Sequence, residues 1–363
     1  MKLQVTQENL NKALANVARI ANSRTTLPIL SNVLLKTVNN RLSIAATNLD
    51  IAITHYVGAK VQKEGSITVP ARLMQDFVGS LPNGTITLEL DEHKLKVSAG
   101  QYQSTINGIS AEDYPVMPAI NDGAEWSIAT SVFKKGLQQV VLAASSDETR
   151  PVLTGIYLYT QNNDLYLAAT DSYRLAEKKL TKLESSVKLL VPATAMQDLL
   201  RVLGDGEEVV SVVHDYQQVL FKVNDVELVA RLIEGNYPDY KRLIPANFVT
   251  TATIKKSELS SITKVSSLFA RESAGSVTLK VDEAKQQISI HSVASQLGEN
   301  TAQAEAQIKG DGEITLNSRY LLDALGVIDG DEVDFCFNGK LEACVIKATK
   351  GKDYIHIIMP LKS

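Results

Sequence analysis

Residues 69–84 read "VPARLMQDFVGSLPNG", and residues 191–206 read "VPATAMQDLLRVLGDG". Eight of the sixteen positions coincide at an offset of 122. In the first stretch Met74, Phe77, Val78 and Leu81 recur at helical spacing; in the second Met196, Leu199, Leu200 and Leu203 do. Pro70 and Pro192 suit the first helical position, where a fixed φ helps and a missing N–H breaks no helical bond. A helix repeated with its opening residues points to a repeated domain.

Other landmarks keep the period. "LSIAAT" (Leu42–Thr47) and "LYLAAT" (Leu165–Thr170) agree at 123. So do the Tyr-Pro pairs at Tyr114 and Tyr237, and Pro28 with Pro151. A third copy is fainter. "TLNSRYLLDALGVIDG" (315–330) keeps the helix pattern, with Asp323 in register with Asp76 and Asp198. "QQISIHSVASQLGE" (286–299) stands where "DLYLAATDSYRLAE" stood. The expected domains are 1–122, 123–247 and 248–363, with "INDGAEW" and "IPANFVT" as linkers.

Each copy also halves. Amphipathic segments open near Thr6, Pro70, Ser131, Pro192, Ser257 and Asn317, predicting two helices per domain. Between them run alternating stretches such as "TITLELDEHKLKVSA" and "VDFCFNGKLEACVIKA". Asn-Gly or charged turns inside them predict hairpins. Strands and helices do not alternate strictly, so the expected class is α+β with antiparallel sheets.

The bulk chemistry narrows the function. An apolar fraction of 44% and a charged fraction of 21% are those of a soluble globular protein. "MKLQVTQENL" lacks the apolar core of a signal peptide, and no apolar run approaches membrane-spanning length. A cytoplasmic protein without a membrane partner is expected. Cys336 and Cys344 lie in neither a metal nor a redox spacing, and the five histidines are scattered, so no metal or cofactor is expected. The net charge of −4 argues against a basic protein that coats nucleic acid. Charge can still be segregated by face. Lys12, Arg19, Arg72, Lys135, Arg201 and Arg319 fall on the outer sides of their helices. That is either an ordinary solvated face or a surface that meets polyphosphate.

"LAATDSYRLAEK" (167–178) gathers Asp171, Tyr173 and Arg174, which imitate an acid–base cluster; His291 with Ser292 imitates a nucleophile couple. The other reading of each is a turn and a strand end. No phosphate loop, metal set or nucleophile elbow accompanies them. A repeat scaffold that binds peptides but not DNA is a further alternative.

The three-fold repeat, "TTLPILSNVLL", "TVPARLMQDF", "ATDSYRLA", "NYPDYKRLIP" and the terminal "IIMPLKS" together resemble the bacterial sliding clamps, the β subunits of the replicative DNA polymerase III holoenzyme. The resemblance runs end to end. It implies three domains of one design, sheets outside and helices inside, and a head-to-tail dimeric ring around duplex DNA, read without regard to sequence. It also implies a processivity factor without catalysis. Its partners would be the polymerase alpha subunit, the clamp loader, and other polymerases and repair proteins with short docking motifs. The implied peptide pocket matches Leu153, Thr170, Leu175, Pro238, Leu243, Ile357, Met359, Pro360 and Leu361, edged by Ser172, Tyr173, Arg174, Tyr320 and Cys344. The family often has Gly and His where this chain has Ser172 and Tyr173. Implied DNA-facing residues are Arg24, Arg72, Arg150, Arg201 and Lys241. Implied dimer contacts are Ile106, Leu268 and Phe269, with Ser104 where a larger apolar residue is expected.

Overall fold

The computed structural model describes residues 1–21, 27–116, 119–206, 208–295 and 298–361. Among them are six α-helices: α1 (Gln7–Ala21), α2 (Ala71–Ser80), α3 (Thr130–Val140), α4 (Ala193–Val202), α5 (Lys256–Phe269) and α6 (Ser318–Val327). Each begins within two residues of its expected start. α1 buries Leu10, Ala13, Leu14 and Val17, the stripe read from the sequence. α6 is capped by Asn317, whose side chain accepts from the backbone N–H of Arg319 and Tyr320. Pro70 and Pro192 differ from expectation by one position. Each ends a strand, Ser66–Pro70 or Lys188–Pro192, and the helix starts at the next residue. A proline N has no proton for the ladder, so it suits a strand end as well as a helix start.

The chain condenses into two compact units, residues 1–131 with 194–232 and residues 132–193 with 233–363. Their limits do not follow the sequence repeat because neighbouring copies share sheets. In the first unit, Val226–Arg231 of the second copy pairs antiparallel with Ile51–Gly58 of the first, giving an eight-stranded sheet. In the second unit, Tyr354–Ile358 of the third copy pairs with Arg174–Lys182 of the second, giving a nine-stranded sheet. Two sheets are left over: a five-stranded one edged by Tyr102–Asn107 and a four-stranded one edged by Gly298–Glu305. Helices pack on the apolar faces, α1 beside α2 and α5 beside α6. Among the described residues all strand pairings are antiparallel, as the hairpin pattern predicts. Among the described residues no helix is long and apolar enough to cross a membrane.

Candidate partner-docking site

The segment "ATDSYRLA" is a turn before it is anything else. The Thr170 hydroxyl donates to the Arg174 carbonyl at 2.7 Å and accepts from Ser172 N at 3.1 Å. One Asp171 oxygen accepts from Tyr173 N and Arg174 N at 2.9 and 2.8 Å. Ser172 takes φ +78°. The first copy makes the same turn. Thr47 bonds Ile51 O and Leu49 N, Asn48 takes the place of Asp171, and Leu49 also has φ +78°. Asp171 is therefore engaged with local backbone and does not stand free as an acid or base. The other imitation dissolves too: Ser292 donates to Ser266 O at 2.8 Å while His291 meets Thr301 at 3.1 Å. Adjacent strand residues face opposite ways, so the two do not form a couple.

What the second copy adds is a row of larger apolar side chains. Thr170 lies opposite Leu175, and Leu175 opposite Ile357. Ile357 is in turn opposite Val345. Directly opposed residues share a face, so these side chains form one row. Leu175 and Ile357 sit in an apolar cluster with Ala168, Tyr159 and Tyr240. Leu153 is buried in the short Pro151–Leu153 helix. Pro238 is exposed and Leu243 is 54% exposed, so apolar surface is left facing solvent. The chain end crosses this place. Met359 N donates to Tyr173 O, and Leu361 N donates to Thr315 O, both at 2.8 Å. These bonds fix Met359, Pro360 and Leu361, all partly exposed, beside the turn. Tyr173 is 63% exposed, as a rim residue would be.

Arg174 and Cys344 lie elsewhere than at an open edge. The strand register puts both opposite Ile358, one position out of phase with Leu175 and Ile357. They therefore face the other side of the sheet. Cys344 is fully buried, and burial pushes its thiol well above the usual range. Arg174 bridges Asp171 at 3.1 Å and Asp323 at 2.6 Å, and stacks on Tyr320 at 4.4 Å. It ties the turn to α6. Asp323 was legible only as a recurring helix acid; its pairing needs two copies brought together in space. Arg174→Ala leaves two carboxylates facing each other in a largely dry place. Such a loss is expected to destabilise the second unit by about 3 kcal/mol, read as a lower denaturant midpoint. Arg174→Lys is expected to recover part of it, because one ammonium cannot serve both acids and the ring. An unchanged midpoint for Arg174→Ala removes the tie.

The cations divide. Arg72 on α2 is open to solvent, with Asp76 one turn on at 3.8 Å. Arg201 on α4 pairs with Asp198 at 2.5 Å, and burial still pushes the Asp198 carboxyl up. Arg150 is exposed just before the Pro151–Leu153 helix. Arg24 lies outside the described residues. Lys241 lies in the short 3-10 helix Tyr240–Leu243 and not on one of the six α-helices. Its ammonium covers the rings of Tyr159 and Tyr166 at 4.9 and 5.2 Å and bonds Gln161, on the sheet face that carries Leu175. At the expected seam, Leu268 is 52% exposed at the end of α5, while Ile106 is buried in the edge strand Tyr102–Asn107.

Antiparallel sheets zipped across copies, with two helices to each copy, are the arrangement that the resemblance to sliding clamps implies. Family models of the DNA polymerase III beta subunit match nearly all of the chain in series. The N-terminal domain matches residues 1–118, the central domain 127–239 and the C-terminal domain 241–362. The beta sliding clamp of Bacillus subtilis is 30% identical over 378 residues, covering 100% of both chains. That of Synechococcus elongatus is 30% identical, covering 100% of this chain and 99% of its own. Among solved structures, the B. subtilis sliding clamp superposes with a TM-score of 0.94 at 30% identity, covering 100% of this chain and 99% of its own. A Bartonella birtlesii clamp bound to griselimycin gives 0.95 at 28%, with full coverage of both. The chain belongs to the DNA polymerase III beta subunit family. It is a DNA polymerase sliding clamp, a replication processivity factor and not a catalyst.

Proposed function

We propose that two copies close head to tail into a ring around duplex DNA, and that the groove at Leu175 and Ile357 docks the short motifs of its partners. The observation that carries closure is the pair of unmatched sheet edges. Val226–Arg231 and Tyr354–Ile358 close a copy by pairing with the strand Ile51–Gly58 or Arg174–Lys182 of the copy before. Tyr102–Asn107 is the first copy's counterpart of those closing strands, and Gly298–Glu305 is the third copy's counterpart of the strands they close on. Both stand at sheet edges with one side unpaired among the described residues. Open edges invite pairing, and a heterologous contact that closes makes a ring. Leu268 and Phe269, beside one edge strand, would meet Tyr102–Asn107 across that seam, with Ile106, buried in its own unit, supporting that strand.

A link by topology lets each phosphate contact stay weak. Arg72 and Arg201 suit this, because each shares its charge with a neighbouring aspartate. Arg24 and Arg150 are assigned to phosphate contact as well. Lys241 is better assigned to the groove rim than to DNA, because it is held over Tyr159 and Tyr166. The groove offers aliphatic walls for Leu or Phe anchors and an adaptable methionine. Its partners are the polymerase alpha subunit, the clamp loader, and other polymerases and repair proteins, in the cytoplasm. The three domains are 1–122, 123–247 and 248–363.

Loading onto nicked circular DNA by a clamp loader tests the ring. The protein is expected to stay on the circle through a high-salt wash and to leave once the circle is linearised. Ordinary phosphate binding is lost steeply with salt from either form. Loss from the intact circle in salt overturns the ring.

A further inference from the structure

The eight-stranded sheet of the first unit carries an open pocket of about 510 Å³ at the place matching the groove just described. The match is residue by residue. Thr47 and Ala52 are opposite each other, and Ala52 is opposite Val229, as Thr170, Leu175 and Ile357 are. Pro115 and Ile120 stand where Pro238 and Leu243 do, one period earlier. The copies differ in what fills the neighbouring face. In the second unit Tyr157, Tyr159 and Tyr166 stack at 4.8 and 5.2 Å, and Tyr237 joins them at 4.9 Å. The counterparts of the first three are Leu34, Lys36 and Ser43, which leave the face open. Ala52 in place of Leu175 shortens one wall. Leu34, Ala52 and Val229 are each partly exposed, so apolar surface meets solvent there.

We infer that this pocket is a second docking site, for a short extended peptide with a bulky apolar anchor and an adjacent carboxylate. The anchor follows from the half-open aliphatic floor, deep where tyrosines are missing. The carboxylate follows from charge. Glu227 in the lining is already paired with Lys222 at 3.2 Å and accepts from Tyr56 at 3.3 Å. Lys36 is exposed and has no ion-pair partner among the described residues. The pocket thus presents one uncompensated cation beside an apolar floor. The inference rests on reading the matching groove as a peptide site, and it extends that reading to a place where the frame is inherited and the filling is absent.

The test titrates fluorescein-labelled Ala-Leu-Phe-Asp by anisotropy into full-length protein and into a chain lacking Met359–Ser363. Full-length protein is expected to bind two peptides per chain and the truncated chain one. Leu34→Tyr with Ser43→Tyr, which installs the rings of the other copy, should abolish binding to the truncated chain and leave one site in the full chain. Lys36→Glu, an exposed change that spares folding, should weaken the residual site roughly fivefold, the scale of one surface ion pair. A truncated chain without saturable binding, beside a full chain that binds one peptide, overturns the second site alone. So does residual binding indifferent to both substitutions. A full chain that binds no peptide overturns both sites.

Discussion

Deleting Met359–Ser363 is expected to lower affinity for the polymerase alpha subunit by at least about 100-fold while leaving the dimer intact. On the proposed reading Met359, Pro360 and Leu361 line the docking groove, and anchors in such pockets are typically worth 2 kcal/mol or more apiece. The fold should survive. The strand that delivers the tail, Tyr354–Ile358, keeps its register with Arg174–Lys182, and its central residues His356, Ile357 and Ile358 are buried. What goes with the tail is two backbone hydrogen bonds, Met359 N to Tyr173 O and Leu361 N to Thr315 O, about 1 kcal/mol each. Surface plasmon resonance with immobilised alpha subunit reads the affinity, and sedimentation reads the dimer. Full affinity in the truncated chain would place the docking surface elsewhere.

The architecture was legible because it rests on local rules written repeatedly. Six helical stripes, each with its opening residues, gave six helices, and hairpin turns gave antiparallel strands. Joining one copy to the next was not legible, because strand pairing between Tyr354–Ile358 and Arg174–Lys182 leaves no mark in either segment. The site divides in the same way. The turn at Thr170–Arg174 could be read from Thr, Asp and Ser, and its twin at Thr47–Ile51 made the inheritance plain. Cys344 could not be placed, since its depth depends on register: one residue of phase separates a groove wall from the opposite face. Lys241 misled for a related reason. A lysine in a basic-looking segment is indistinguishable, in sequence, from one held over Tyr159 and Tyr166 by residues 75 and more positions away. The twin pocket at Ala52 was missed because nothing marks it except three tyrosines that are not there.

Leu268→Ala with Phe269→Ala is expected to convert the dimer to monomers. Both residues end α5, which packs on the edge strand Gly298–Glu305. Val265 and Val293 are exposed as well, at 47% and 50%, so apolar side chains lie exposed on α5 and on the strand next to the unpaired edge. An exposed apolar patch beside an open edge is what an interface leaves when its partner is absent. Truncating a buried leucine and phenylalanine removes about 2–4 kcal/mol each. Together they should raise the dissociation constant on the order of a thousandfold or more. The isolated chain should lose little, because Leu268 is already half in solvent. Sedimentation at micromolar concentration reads the monomer, and an unaltered melting transition shows that the fold is spared. Retention on nicked circles in high salt should vanish with the dimer, while the groove at Leu175 and Ile357, built within one chain, keeps its peptide affinity. The separation of those two readouts is the point of the variant: a dimer that persists removes Leu268 and Phe269 from the seam, and a peptide affinity that falls with it joins the groove to the interface.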